Sequence, residues 1–223
     1  MLPYFKKLDA ENLEDISKEI YLKLPSIDVH LEHCQKNNLL RYDSLVDRNS
    51  PSPRDDLLKV ISQFPLLVNW LATKGIAQSD ILSLVRFHIP GNSKMNIHVD
   101  GNGELSRQGW FGEAINIPVH NCQDSYTAWF DAEPYFLSEE EATVLLGPDH
   151  LTKYGLDTHN SRLKSFQKGL AFKEDTAKEI ARVKLDTALW YNIGVPHQGI
   201  NLSNGARIML SLRFNKKIDM DKL

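Results

Sequence analysis

The stretch Val195-Pro-His-Gln-Gly-Ile-Asn-Leu-Ser-Asn-Gly-Ala-Arg-Ile-Met-Leu-Ser-Leu-Arg-Phe214 decides how this chain is read. On both sides of Ser203-Asn204-Gly205 the residues alternate in polarity, which is the pattern of a half-buried strand. A three-residue loop with Gly205 in the left-handed conformation closes a hairpin and sets Leu202 opposite Ala206. In that register Asn201 faces Arg207, Gly199 faces Met209 and His197 faces Ser211. The other side collects Ile200, Leu202, Ile208, Leu210 and Leu212, an apolar surface suited to helices. A two-residue Asn-Gly turn would put His197 and Arg207 on opposite faces, so the reading depends on the odd loop length. Arg207 then lies roughly 13 Å along the sheet from the level of His197. Gly199 leaves the space between them empty, and a small dianion fits there. An inward arginine needs a carboxylate or similar partner, because a buried, unpaired guanidinium costs several kcal/mol. That partner is either a carboxylate of the protein or a bound anion.

Upstream, short alternating runs separated by turn residues begin at Ser79. Strands are expected at Ile81–Ile89, Met95–Asp100, Glu113–Val119, Tyr126–Asp131, Ile180–Leu185, Ala188–Ile193, His197–Leu202 and Ala206–Phe214. Eight such strands predict a mainly β fold, a double-stranded β-helix of the jelly-roll, cupin-like type. Within Asn96-Ile-His-Val-Asp100, positions i and i+2 of a strand share a face, so His98 and Asp100 present an imidazole and a carboxylate side by side. That is half a metal site. A second His-x-acid triplet, His30-Leu31-Glu32, lies outside any strand pattern and reads as surface. Residues from about 137 to 178 are charged and read as an insertion, placed to act as a lid or substrate-selecting flap.

The N-terminal third reads as helical. Leu13, Ile16, Ile20 and Leu24 recur at helical spacing behind Asp9 as N-cap. A second helix opens at Ser52-Pro53, carries Asp55 and Asp56 in its first turn, is kinked by Pro65 and ends at Gly75. Residues 38–52 read as a connecting loop. With 223 residues, 42% of them hydrophobic, one core is expected: a single domain over 1–223, with a helical part at 1–78 that packs on one sheet and a β-helix core at 79–223. The net charge of −3 and the pI near 6.2 provide no footprint for a phosphate backbone or an anionic membrane, so no nucleic-acid partner is expected. No apolar run approaches the roughly 20 residues of a membrane span, and no secretory signal is expected. Cys34 and Cys122 are far apart and form no CxxC pair, which fits a reducing, cytoplasmic setting.

His98-x-Asp100, the distant His197 and Arg207 ten positions after it resemble the Fe(II)- and 2-oxoglutarate-dependent oxygenase superfamily, particularly its aspartyl/asparaginyl β-hydroxylase-like and prolyl-hydroxylase-like members. The resemblance covers about residues 81–214. It implies that His98, Asp100 and His197 bind Fe(II), that Arg207 holds the distal carboxylate of the cosubstrate 2-oxoglutarate, and that dioxygen is the oxidant. Two imidazoles and a carboxylate would leave three positions of an octahedral iron for a bidentate 2-oxo acid and dioxygen. The activity implied is hydroxylation of a small substrate, an amino acid free or in a peptide, with release of succinate and CO2.

Further candidates surround this set. Ser211 lies four positions beyond Arg207, whereas one branch of the superfamily has its serine at two. Asn116 and Tyr126 are candidates for the cosubstrate's inner carboxylate. Arg86 and His88 share a strand face and either hold a substrate carboxylate or form a rim salt bridge. Trp129, between Ala128 and Phe130, is either core or a wall against the substrate. Two other functions compete: a metal-dependent cupin enzyme, a dioxygenase or isomerase that does not use 2-oxoglutarate, and a metal-free jelly-roll binding module.

Overall fold

The computed structural model describes residues 4–24, 27–37, 41–46, 50–99, 112–136 and 170–223. In chain order these form β1 (Phe5–Leu8), α1 (Leu13–Lys23), α2 (Ile27–Asn37), β2 (Arg41–Ser44), α3 (Pro53–Ile61), α4 (Pro65–Thr73), β3 (Ile81–Ile89), β4 (Ser93–Lys94), β5 (Glu113–His120), β6 (Ser125–Asp131), β7 (Pro134–Phe136), β8 (Leu170–Phe172), β9 (Lys178–Lys184), β10 (Ala188–Asn192), β11 (His197–Asn201) and β12 (Arg207–Phe214). A major sheet has the order β1-β10-β5-β12-β3-β2 and a minor sheet the order β4-β11-β6-β9, every pairing being antiparallel. The two sheets make the expected jelly-roll sandwich, and the helices cover the outer face of the major sheet.

Alternation along the major sheet sorts the side chains. Ile115, Ile117, Trp190, Ile208, Leu210 and Leu212 join the helix residues Ile16, Ile20, Leu57, Ile61, Leu67 and Leu71 in one apolar core. The opposite parity, Val85, Phe87, Ala114, Leu189, Tyr191 and Met209, faces the minor sheet and packs around Trp129. A sheet with both faces covered must be apolar on one side and selective on the other if it is to hold a polar site.

The helical region departs from expectation in its boundaries. Asn12, not Asp9, precedes α1; the Asp9 carbonyl instead accepts the Trp70 indole N–H at 3.1 Å. Ser52 precedes α3 without a side-chain cap bond. Pro65 does not kink a long helix but starts a new one, α4, because its fixed φ suits a first helical position and its missing N–H is not needed there. The exposed amides of that new N-terminus are met from another helix: Glu19 of α1 accepts from Leu66 N at 3.1 Å and Leu67 N at 3.4 Å. Gly75, at φ +70°, ends α4 as expected. Within the expected loop at 38–52, Arg41–Ser44 pair with β3 as an edge strand.

The turn after β11 is the main correction. β11 and β12 do not pair: β11 lies between β4 and β6, and β12 lies between β3 and β5. The chain crosses from one sheet to the other at 202–206, and Gly205 is not in the left-handed region. The expected cross-strand partners Asn201–Arg207, Gly199–Met209 and His197–Ser211 therefore do not exist as ladder pairs. Asn201, fully buried, holds the corner: its Nδ2 donates to the carbonyls of Ile89, Pro90 and Gly205. Leu202 is 55% exposed instead of joining the helix-facing core.

The expected strand Met95–Asp100 is also irregular. Lys94 pairs with Ile200 and His98 forms an isolated bridge to His197, so the register steps by one residue between them. Asp100, with the loop that follows it, lies outside the described residues. So does most of the expected insertion, whose described flanks form the β7–β8 ladder; its expected end at 178 is already the start of β9.

Candidate functional site

A cavity opens between the two sheets, and its polar lining comes from His98, His197, Asn116, Thr127, Tyr191, Arg207 and Arg213. His197 begins β11 and is 5% exposed. Its backbone exchanges both hydrogen bonds with His98, N to O at 2.8 and 3.0 Å, which brings the two ring centroids to 4.5 Å. Each ring is tied back to the carbonyl two residues earlier: His98 Nδ1 to Asn96 O at 2.7 Å, and His197 Nδ1 to Val195 O at 2.9 Å. A carbonyl oxygen only accepts, so in both bonds Nδ1 carries the proton and the neutral ring keeps its lone pair on Nε2. This is how imidazoles are oriented when they serve as metal donors. Among the described residues no three His, Cys, Asp or Glu side chains gather; the expected third donor, Asp100, is outside them.

Arg207 is fully buried, and Nε, Nη1 and Nη2 have no hydrogen-bond partner among the described residues. Burial pushes its pKa down, while the neighbouring Cys122 thiol and Tyr191 phenol push it back up. Neither neighbour is a carboxylate, so nothing described compensates the guanidinium, a group that deprotonates only far above neutral pH. The space it occupies exists because residue 199 is glycine. A Cβ there would sit 3.0 Å from Arg207 Nη2 and 2.9 Å from Met95 Sδ. Tyr191 stands beside the guanidinium, its hydroxyl accepting from Thr127 Oγ1 at 3.0 Å. Burial raises its pKa, against the lowering effects of the Thr127 hydrogen bond, the Arg207 charge and Asn116.

The structure thus brings His98, His197, Arg207 and Asn116 to one cavity. Ser211 is buried behind it and donates to Asn116 Oδ1 at 2.5 Å, orienting that amide rather than lining the space. Three expectations, at Tyr126, Arg86 and His88, are corrected, and the alternative left open at Trp129 is decided in favour of core. Tyr126 has the wrong parity on β6: it faces outward, with Arg182 stacked 5.8 Å above its ring. Trp129 is core, fully buried, stacked on Phe5 and donating to Asn192 O. Arg86 and His88 are buried, but they pair with Leu210 and Ile208. They therefore share the helix-facing side of the sheet, away from the cavity.

Three polar lining residues are not among the candidates drawn from the sequence: Tyr191, Thr127 and Arg213. Tyr191 and Thr127 enter through strand neighbours that no local pattern gives. Arg213 had a visible signal, since it shares strand parity with Arg207.

No family model matches the sequence, and no curated protein matches it. Solved structures of similar course include a nickel complex of the non-heme monooxygenase ThoJ, 10% identical with TM-score 0.39, over 96% of this chain and 72% of that one. A Pseudomonas putida prolyl-4-hydroxylase is 6% identical with TM-score 0.39, over 96% and 93% of the two chains. EvdO2 from Micromonospora carbonacea var. aurantiaca is 12% identical with TM-score 0.40, over 82% and 70%. At such identities and scores the likeness is one of general chain course and transfers no residue's role.

Proposed function

We propose that this chain is an Fe(II)- and 2-oxoglutarate-dependent oxygenase that hydroxylates a small substrate. The observation that carries the reading is Arg207, a buried cation without a hydrogen-bond partner among the described residues, opening onto the same cavity as two tautomer-fixed histidines. A bound dicarboxylate would compensate it through two parallel charge-assisted hydrogen bonds. A cupin enzyme that uses no such cosubstrate has no need of a cation there.

On this reading His98 and His197, with Asp100, would hold the metal, and the carbonyls of Asn96 and Val195 would keep both imidazoles in the donor tautomer. Arg207 would take the distal carboxylate, with the Tyr191 hydroxyl beside it. Ser211 would hold the Asn116 amide in one orientation toward the cavity. The apolar walls Phe87 and Met209 exclude water from the reacting atoms. When bound, iron and cosubstrate supply oxidative decarboxylation: 2-oxoglutarate, dioxygen and a substrate C–H give succinate, CO2 and a C–OH.

The test is an anaerobic titration of the full chain with Fe(II) and then 2-oxoglutarate, followed by the weak visible charge-transfer band that chelation produces. A saturable band that disappears in His98→Ala, and that requires far more 2-oxoglutarate in Arg207→Ala, is expected. Iron binding with no response to 2-oxoglutarate would favour the cupin alternative, and no metal binding at all would favour a binding module.

A further inference from the structure

We infer that Glu174, on the loop between β8 and β9, is a positioning residue for His98: its carboxylate fixes the backbone of the irregular segment that carries this imidazole. The inference rests on the oxygenase reading above and deepens it, by naming a residue outside the cavity that governs how well the site holds its metal.

A regular ladder cannot hold the segment 94–98. Lys94 pairs with Ile200 and His98 with His197, so three residues, 95–97, face only two, Gly199 and Gln198, on β11. One residue too many lies on this edge, and backbone groups of the step lose the partners that a continuous ladder would supply. Side chains replace them. Gln198 Nε2 donates to Met95 O at 2.6 Å, His98 Nδ1 donates to Asn96 O at 2.7 Å, and Ile97 N donates to Glu174 Oε1 at 3.2 Å. The last of these bonds acts on the residue next to His98, and its acceptor belongs to neither of the strands that the step joins.

What surrounds Glu174 equips it for the role. Its second oxygen, Oε2, meets Lys94 Nζ at 3.3 Å, so one carboxylate spans the step from its first residue to the residue before His98. The loop beneath is fastened in turn: Lys173 N donates to Glu133 O at 3.1 Å, and Lys173 Nζ meets Glu133 Oε2 at 2.9 Å. The exposed pair with Lys94 adds little by itself, because solvent screens it. The bond to Ile97 matters for a different reason. The His98 ring is tied to Asn96 O, so the direction of its Nε2 lone pair follows the backbone at 96–98. Metal affinity depends on that direction, as it does wherever groups beyond the donors orient them. A backbone free to shift at Ile97 carries this imidazole out of its place beside His197, whose ring centroid lies 4.5 Å away.

The experiment uses the full chain and Co(II) as the probe, whose visible ligand-field bands report the number and geometry of its donors. Glu174→Ala should weaken Co(II) binding on the order of tenfold and change the bands, while the metal-free variant unfolds close to the wild type because the side chain is exposed. Glu174→Gln keeps a carbonyl acceptor for the Ile97 N–H, and should restore both affinity and spectrum. Lys94→Met, which removes only the charge pair, should leave both unchanged. Wild-type affinity and spectrum in Glu174→Ala would overturn the inference. So would a Glu174→Gln variant as weak as Glu174→Ala, which would assign the effect to charge. A metal-free Glu174→Ala that unfolds well below the wild type would make the residue a general fastening, and would overturn the inference as well. Absence of Co(II) and Fe(II) binding in the wild type would instead sink the oxygenase reading. Hydrogen exchange at the Ile97 and His98 amides would then still judge Glu174. Exchange should be faster in Glu174→Ala than in the wild type and in Glu174→Gln, and equal rates would overturn its positioning role.

Discussion

The two faces of β12 are built from neighbouring residues and have opposite characters. Ile208, Leu210, Leu212 and Phe214 point into the helix-backed core, each no more than 1% exposed. Arg207, Met209, Ser211 and Arg213 point between the sheets, almost equally buried, yet one of them is a cation that no described residue compensates. Burial alone therefore does not distinguish structure from function here. Satisfaction does: the even face has no polar group to satisfy, and the odd face holds a group whose complement is absent from the described protein. One strand thus carries both the stability of the fold and the instability that a ligand would relieve.

The largest expected effect breaks the even face. Leu210→Ala removes a fully buried side chain between β12 and the helices, and should cost about 2–5 kcal/mol of a total on the order of 5–15 kcal/mol. Denaturant unfolding measures it, and the folded fraction should bind 2-oxoglutarate normally. A cost below about 1 kcal/mol would mean that the core on this side re-forms freely, and the comparison would fail.

On the odd face the sign should reverse. Arg207→Met replaces a desolvated cation by an apolar side chain of similar length, so the ligand-free protein should become more stable, by about 1–4 kcal/mol. Stabilisation by 2-oxoglutarate should vanish in the same variant. A destabilised Arg207→Met would show that the guanidinium is a structural partner after all. A smaller effect is expected at the residue that makes room for it. Gly199→Ala places a Cβ against Met95 and Arg207, and should cost about 1–3 kcal/mol as overpacking, with a raised apparent Kd for 2-oxoglutarate. Adding Met95→Ala, by clearing the tightest of the three contacts that the new Cβ makes with Met95, Arg207 and Ile89, should recover part of that affinity.

The alternation of β12 was legible in the sequence because a sheet covered on both sides still has to separate its two environments. Ile81–Ile89 was legible for the same reason, to the residue. The corner at 202–206 was not. A short turn rich in Ser, Asn and Gly joins two strands equally well within one sheet or across two, and the choice was made by Asn201 gripping the 89–90 carbonyls more than a hundred residues away. Gly199 meets Arg207 across the sandwich and not along a ladder, a proximity that hairpin parity does not describe. Tyr126 and Tyr191 show the same limit. Which tyrosine enters the cavity depends on parity relative to partners, and β10 acquires those only by pairing with β1 and β5.

The smallest expected effect concerns the end of β12, where neither face is involved. Just past the strand, Asn215 N donates to Asp80 O at 2.9 Å and Lys216 Nζ meets Asp80 Oδ2 at 2.7 Å. Burial alone would push the Asp80 carboxyl up, but the Lys216 ammonium and the Ala77 N–H outweigh it and hold the group below its ordinary value. A depressed carboxyl means that the unfolded chain binds the proton more readily. The contribution to stability is therefore complete above the unfolded pKa near 4 and disappears as pH falls through the lower folded value. Half of the Lys216 side chain is exposed, so solvent screening limits the pair to a few tenths up to about 1 kcal/mol. Lys216→Ala should lower stability at pH 7 by that amount and leave it nearly unchanged near pH 2, which denaturant unfolding at the two pH values would measure. Because this fastening touches neither the apolar face nor the cavity, 2-oxoglutarate affinity should be unaffected. A Lys216→Ala variant that bound 2-oxoglutarate several-fold more weakly would show that the position of the whole strand, and not the chemistry of its odd face, sets the affinity.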